Sequence, residues 1–474
     1  MIYLYWTIFI AYSATVVGTI ISVLMDNRQP VKTMAWVMAV MFLPVVGIIL
    51  YFFFGQDTRK EKLISQHSLD LLTKSSMLEF AVQKDLVIPE ENKTLVKLFA
   101  SQNWALPFKD NDIDIFTDGY SFFNALFREI GAAKHNIHLD TYIFENDSLG
   151  RVIADILIDK AREGVEVRVV YDDVGCWNVN DDFFKRMRDA GIQVRAFMPV
   201  RFPAFTSKVN YRNHRKLCVI DGKVGFIGGM NIAKRYITGN GKQKWRDTHL
   251  CIRGGAVYAI QRAFLVDWYF VSGKLISDRK YYPELCGNKK NNTIVQIVTS
   301  SPVSPWPDIM QGYVRILLEA RQYVYMETPY FLPTETVMSA MRIAALAGVD
   351  VRIMIPRKGD AKFVEWASRS YVFETIQAGV KVYLYRDGFN HSKLLVCDDN
   401  ICTCGSTNID FRSFENNFEA NAFIYDRQTA LRFKQIFMDD IKKSTCVTMR
   451  MISKKRPFIN RLWESLVRLL SPLL

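Results

Sequence analysis

The sequence predicts an α/β fold: two copies of one α-β-α unit behind an N-terminal two-helix transmembrane hairpin. Three observations lead there. Two uncharged stretches, from Met1 to Met25 and from Thr33 to Gln56, each reach the roughly 20 residues that cross a bilayer core. Beyond them, short apolar runs alternate with amphipathic helical patterns. That alternation then occurs a second time with the same landmarks. Composition agrees: 474 residues, 49% hydrophobic and 23% charged, describe neither a disordered nor a fibrous chain. Eight cysteines in this length exclude a disulfide scaffold, and no CxxC pair or zinc-type His spacing occurs. They read as reduced, buried thiols of an enzyme facing the cytosol. A net charge of +13 favours an anionic partner, either nucleic acid or an anionic membrane surface.

Residues 1–56 form the predicted hairpin. The turn Asp26-Asn27-Arg28-Gln29-Pro30-Val31-Lys32 is too short to hold a domain, so the two spans are antiparallel. The first span lacks the basic n-region of a cleaved signal peptide. Arg59, Lys60 and Lys62 follow the second span, and the body is basic. The positive-inside rule therefore places the N-terminus and the body in the cytoplasm. Pro44 is tolerable inside a membrane helix and need not break it.

Residues 57–110 read as a linker, 111–285 as the first α/β domain and 286–474 as the second, with a C-terminal amphipathic tail. In the first domain the expected order is strand 137–144, helix 149–163, strand 165–171, helix 181–190 and strand 192–198. In the second it is strand 323–331, helix 337–347, strand 349–355, helix 363–378 and strand 380–385. Asp140-Thr141-Tyr142-Ile143-Phe144 returns as Glu327-Thr328-Pro329-Tyr330-Phe331, and Gly164-Val165-Glu166-Val167-Arg168 as Gly348-Val349-Asp350-Val351-Arg352. Helices between strands imply a largely parallel sheet in each half. In the tail, Arg461, Glu464, Ser465 and Arg468 share one helical face, opposite Ile459, Leu462, Trp463, Leu466 and Leu470. Such a helix rests in a membrane interface or packs on the body, and the pattern fits both.

The chemical signal also occurs twice. His214-Arg215-Lys216 followed by Asp221, and His391-Ser392-Lys393 followed by Asp398, both spell HxKxxxxD. Each is followed by small residues and an Asn: Gly228-Gly229-Met230-Asn231 and Gly405-Ser406-Thr407-Asn408. His and Lys two apart on a strand point to one face, and an imidazole beside a fixed cation suits attack on a phosphate. Asp221 and Asp398 fall at turns. Five strand residues beyond the Lys is roughly 16 Å, too far for the same phosphorus, so a structural role is expected for both. Asp247 and Glu419, at related positions in the two copies, are the candidates for orienting the imidazoles. Asn231 and Asn408 are candidate donors to phosphate oxygens. A Lys beside each His opposes metal chemistry, and no nucleotide-binding GxxxxGK[ST] loop occurs. His67, His135 and His138 read as surface or core histidines, and His249 has no assigned role.

The paired motifs with their trailing GGxN and GSTN resemble the phospholipase D superfamily over about residues 111–430, which implies two phospholipase D-like α-β-α domains with the active site at their interface. The whole chain is similar to that superfamily's bacterial cardiolipin synthases. The hairpin residues Asn27-Arg28-Gln29-Pro30 and Tyr51-Phe52-Phe53-Phe54-Gly55, Arg412-Ser413-Phe414, and the tail ending Arg468-Leu469-Leu470-Ser471-Pro472-Leu473-Leu474 carry the likeness further. The resemblance implies a multi-pass enzyme of the bacterial inner membrane that joins two phosphatidylglycerol molecules into cardiolipin. Glycerol is released, and neither metal nor other cofactor is needed. It implies that His214 is the nucleophile and His391 the general acid and base. Lys216, Lys393, Asn231 and Asn408 then bind phosphate, with Gly229 and Ser406 beside them, and Asp247 and Glu419 hold the imidazoles. It also counts Asp221 and Asp398 with the site. A membrane-bound phospholipase D, with water as acceptor, would use the same residues in its first step and is the alternative. A nuclease of the superfamily is disfavoured by the membrane spans, so nucleic acid is not the expected partner. Arg201-Phe202-Pro203-Ala204-Phe205 reads equally as a lining for lipid access and as a buried turn.

Overall fold

Helix ends punctuate the body in the same way in both repeats. Ser148–Arg162 closes on Gly164 at φ 90°, and its counterpart Glu335–Leu346 closes on Gly348 at φ 94°. A left-handed backbone there suits a residue without a Cβ, and each chain enters a strand two residues later. The computed structural model of the chain describes residues 2–25, 30–51, 55, 72, 83, 86–103, 105–200, 210–241, 243–284, 292–453, 462–463 and 467–468. Arg28 in the turn, Arg59, Lys60, Lys62, His67, the segment 201–205 and most of the tail lie outside the described residues.

The first half carries strands β1 (Asp112–Phe116), β2 (Asn136–Thr141), β3 (Glu166–Asp172), β4 (Gln193–Phe197), β5 (Arg212–Asn213), β6 (Lys216–Ile220), β7 (Val224–Gly228), β8 (Trp245–Arg246) and β9 (His249–Arg253). The second carries β10 (Ile294–Ser300), β11 (Tyr323–Glu327), β12 (Phe331–Leu332), β13 (Asp350–Pro356), β14 (Lys381–Tyr385), β15 (Phe389–Asn390), β16 (Leu394–Cys397), β17 (Ile401–Gly405), β18 (Ile409–Asp410), β19 (Asn417–Tyr425) and β20 (Ser444–Cys446). The strand expected over 323–331 is split into β11 and β12 around Pro329, which has no N–H to give a ladder.

The main sheets have the orders β1-β9-β7-β6-β2-β3-β4 and β10-β19-β17-β16-β11-β13-β14-β20. The largely parallel sheet expected in each half is corrected. Along these two orders the described strands run parallel at β2, β3 and β4 and at β11, β13 and β14, because helices cross between them, and the other pairings are antiparallel. The motif strands β6 and β16 join their successors β7 and β17 by tight turns, which enforces antiparallel pairing.

Each half buries its own apolar core, and a third apolar cluster joins them. Its centre is the helix Ala256–Ser272, on which Val257, Ile260, Phe264 and Leu265 are fully buried. It packs on β6 and β7 of its own sheet and on β10 of the other, and it is buried on most of its surface. The later part of the expected linker also belongs to this body. The helix Lys93–Asn103 sets Phe99 against Phe423 at 4.5 Å, and Phe108 exchanges backbone hydrogen bonds with Val295.

The N-terminal segment is a unit of its own. Its helix Ile2–Met25 is long and apolar enough to cross a membrane. The second uncharged stretch is not one continuous helix, as had been expected. Pro30–Phe42 ends at Leu43 (φ −130°, ψ 62°), and Pro44–Leu50 begins again. The rings of Trp36 and Tyr51 meet at 5.7 Å, so the second short helix folds back along the first. Proline at position 44 removes a helix hydrogen bond, and the close approach of Gly47 to the Ala39 carbonyl leaves no room for a Cβ.

Candidate active site

The two motif histidines lie just before β6 and β16 rather than inside them, each following a two-residue strand. Those short strands reach across to the other half. β5 pairs with the start of β19, Asn213 opposite Phe418, and β15 pairs with β8, Asn390 opposite Arg246. The backbone N–H of His214 donates to the Phe418 carbonyl (2.9 Å), and that of His391 to the Arg246 carbonyl (2.7 Å). One residue further along, each imidazole meets a carboxylate. His214 Nδ1 is 3.0 and 3.1 Å from the Glu419 oxygens, and His391 Nδ1 is 2.7 Å from Asp247 Oδ2. The pairing is crossed, so each histidine is held by the carboxylate of the other repeat. With Nδ1–H donating to a carboxylate, Nε2 is the nitrogen left for chemistry.

Asn213 and Asn390, which the sequence reading did not single out, fix the loops that carry the imidazoles. Asn213 Nδ2 donates to Asp140 (2.8 and 3.1 Å) while its Oδ1 accepts from the Arg215 N–H (3.2 Å). Asn390 Nδ2 donates to Glu327 (3.1 Å) while its Oδ1 accepts from the Ser392 N–H (3.0 Å). The signal was present: an Asn precedes both motif histidines, and Asp140 and Glu327 are matched landmarks of the repeat. A second anchor, Arg215, donates to both Asp267 oxygens and to the Glu419 carbonyl.

Lys216 and Lys393 are buried, and each donates to the carbonyl of the histidine two residues before it. Lys216 Nζ also stands 5.3 Å from the Tyr142 ring centre, and Lys393 Nζ lies 2.9 Å from His391 Nδ1. Burial, with Lys393 nearby, pulls the Lys216 ammonium down to about 7. Burial and Lys216 lower His214 to about 4, against the pull of Glu419, and burial and Lys393 lower His391 to about 3. Burial pushes Asp247 up, but Lys393 and His391 outweigh it and hold it below the usual range. The surroundings of the two imidazoles differ: Trp245, Phe389, Tyr236 and Tyr330 pack around His391, and Tyr142 stands edge-on to His214 at 5.0 Å.

Several expected positions take other places. Gly229 and Ser406 lie against the two orienting carboxylates. A Cβ on Gly229 would lie 2.1 Å from Asp247 Oδ1, and the Ser406 hydroxyl donates to Glu419 Oε2. Asn231 donates to the Tyr236 hydroxyl (2.7 Å) and accepts from the Ile143 N–H (3.2 Å). Asn408 is buried with an Oδ1 that has no hydrogen-bond partner among the described residues. Asp221 and Asp398, counted with the catalytic set, stand at the far ends of their strands in left-handed conformations (φ 53° and 48°). Asp221 accepts from the N–H groups of Lys134, His135 and Asn136 at 2.7–2.9 Å, and Asp398 from those of Arg321, Gln322 and Tyr323 at 2.7–2.9 Å. His249 is a core residue stacked on Phe122 at 4.1 Å, and His138 is stacked on Phe264 at 4.5 Å.

Two like α/β halves, each contributing one His–Lys pair and one carboxylate across a shared seam, are the architecture of a phospholipase D-like protein. Comparison with known proteins narrows this. The family described as "Cardiolipin synthase, PLD-like domain" matches residues 126–249 and 313–441, and the phospholipase D-nuclease N-terminal family matches residues 14–56. A cardiolipin synthase of Oceanobacillus iheyensis is 41% identical over 467 residues, 95% of each chain. The major cardiolipin synthase of Bacillus subtilis is 40% identical over 472 residues, 96% of each chain. Among solved structures, a phosphatidylserine synthase of Haemophilus influenzae shares the fold (TM-score 0.61, 16% identity, 80% of this chain and 100% of that one). The chain belongs to the bacterial cardiolipin synthases of the phospholipase D superfamily. It is a membrane-associated phosphatidyltransferase that acts on phospholipid and makes cardiolipin.

Proposed function

We propose that both donor and acceptor are phosphatidylglycerol and that transfer runs through a phosphohistidine on His214. His214 Nε2 attacks the donor phosphorus, the bond to the glycerol headgroup oxygen breaks, and His391 protonates that oxygen as glycerol leaves. The acceptor's terminal glycerol hydroxyl then attacks phosphorus. Its proton passes to His391, the P–N bond breaks, and cardiolipin is released. One phosphodiester replaces another, so no energy source is consumed. The observation that carries this reading is the crossed pairing, which fixes both imidazoles by Nδ1 and leaves both Nε2 atoms for one phosphorus. His214 is neutral at pH 7, as a nucleophile must be. An arriving phosphodiester anion offsets Lys216 and Lys393, and so raises His391 towards the protonated form that an acid needs. The same two lysines offset charge on the equatorial oxygens in the transition state.

The experiment supplies phosphatidylglycerol alone to purified enzyme. Cardiolipin and glycerol in equal amounts are expected, and phosphatidic acid as the product would replace synthesis by hydrolysis. With lipid labelled at phosphorus, His214→Ala forms no adduct. His391→Ala loses roughly 10²–10⁴-fold in turnover yet still accumulates some adduct. Adduct in the first variant and none in the second would exchange the two roles.

The proposal extends to topology. Ile2–Met25 crosses the membrane, the bent stretch after it dips in and turns back, and the domains 111–285 and 286–474 lie on the cytoplasmic side. The basic residues after the second apolar stretch support this side.

A further inference from the structure

If phosphatidylglycerol is the acceptor, it brings a phosphodiester of its own that does not react. The motif lysines serve the phosphorus under attack, so this second phosphate needs other cations, and the acceptor's acyl chains need an apolar wall near His391. We propose that a cleft beside Tyr330 is the acceptor-lipid subsite, with an acyl chain along its floor and the unreacted phosphate at Arg357 and Lys358. The proposal rests on the function inferred above.

The cleft has a volume of about 490 Å³, within the rough 300–1,000 Å³ range of ligand sites. It opens at the carboxyl ends of β13 and β14, where α/β sheets place their ligands. Tyr330 belongs both to it and to the active site: it lines the cleft, and its ring stands edge-on to His391 at 6.3 Å. The Tyr330 hydroxyl is held by Asp360 at 2.7 Å. Ile355, Val364, Val372, Leu384 and Val447 supply the apolar lining. Arg357 and Lys358 are exposed at the same cleft, and neither side chain has a carboxylate partner among the described residues. The carboxylate in the lining, Glu365, is already engaged by Arg369 and by the Gly359 N–H. Even with Asp360 counted against Arg357 and Lys358, the net free charge of the cleft is positive. Apolar side chains also stand exposed on the neighbouring elements: Phe363 on the helix Lys362–Gln377, Met451 on Met449–Ser453, and Trp463, which meets Trp366 edge-on at 6.0 Å. Contiguous exposed apolar groups beside a cationic cleft fit a surface that takes lipid from a bilayer.

The test separates the two half-reactions in the full-length enzyme in mixed micelles. Cardiolipin formation needs the acceptor lipid. Exchange of labelled glycerol into phosphatidylglycerol uses the same donor but a small acceptor without phosphate or acyl chain. Cardiolipin formed by the wild type from phosphatidylglycerol alone is the measure of the underlying reading. The variants then judge the cleft. Arg357→Ala with Lys358→Ala is expected to raise the KM for lipid acceptor about tenfold, the loss of a charge-assisted contact, with glycerol exchange within about twofold of wild type. Val372→Trp, which fills the floor, is expected to do the same for long-chain acceptor and to spare dihexanoyl acceptor. A parallel fall in both reactions, or no change in either, overturns the assignment. The double variant changes exposed side chains only, so it keeps the test valid if the tryptophan fails to fold.

Discussion

At the scale of single residues, Gly229 shows how one missing methyl group sets up an acid–base pair. The second repeat has Ser406 at this place, where the hydroxyl donates to the longer Glu419. The first has the shorter Asp247, whose carboxylate occupies the space a Cβ would fill, 2.1 Å from its ideal position. Gly229→Ser, which makes the two motifs alike, is expected to push Asp247 off His391. Turnover should fall by about 100-fold or more, with the His214 adduct still trapped by labelled lipid. Lys216 governs the alkaline limb. Its ammonium, lowered to about 7 by burial and by Lys393, is charged below that pH and neutral above it. The value of kcat/KM should therefore fall as pH rises through about 7, and Lys216→Arg, which stays charged, should move that limb upward. The acid limb should lie near 4, where His214 takes up its proton.

At the scale of elements, the hairpin tips and the membrane helices were unequally legible. Asp221 and Asp398 sit at turns as the spacing suggested, because a strand of this length carries them away from the Lys at its start. That each binds three backbone N–H groups at the start of a neighbouring strand depends on sheet order, which periodicity does not encode. The second apolar stretch was misread as one span because hydropathy counts residues and not bends. Its first helix, of 13 residues, is about 20 Å long, short of the roughly 30 Å hydrocarbon core. A second stretch that turns back leaves Gln29 on the same side as the body, so a cysteine there is expected to be labelled by an impermeant reagent only after lysis. Labelling on intact cells would show that the stretch crosses the membrane and would put the turn outside.

At the scale of the whole molecule, crossed pairing makes the two repeats one catalytic unit. His214 depends on Glu419 and His391 on Asp247, and both dependences run through the short parallel pairings β5–β19 and β15–β8. A chain cut within residues 285–291 should therefore stay active while its halves remain docked, since the helix Ala256–Ser272 and its apolar cluster hold them together. Either half expressed alone should form no phosphatidyl adduct. Adduct on an isolated first half would show that Glu419 is dispensable for orienting His214.

By itself the sequence determined the order of strands and helices, the duplication, the two His–Lys pairs and the identity of the two orienting carboxylates. Each of these is local or periodic. A strand repeats every two residues and a helix every 3.6, and a motif keeps its spacing whatever surrounds it. The tertiary structure decided which carboxylate serves which histidine, how the sheets mix parallel and antiparallel strands, and that Asn213 and Asn390 clamp the loops of the site. It also decided that Gly229 and Ser406 face carboxylates. Those contacts join residues from 13 to 205 positions apart, and they form once strands distant in sequence have paired within each half and the halves have packed on each other.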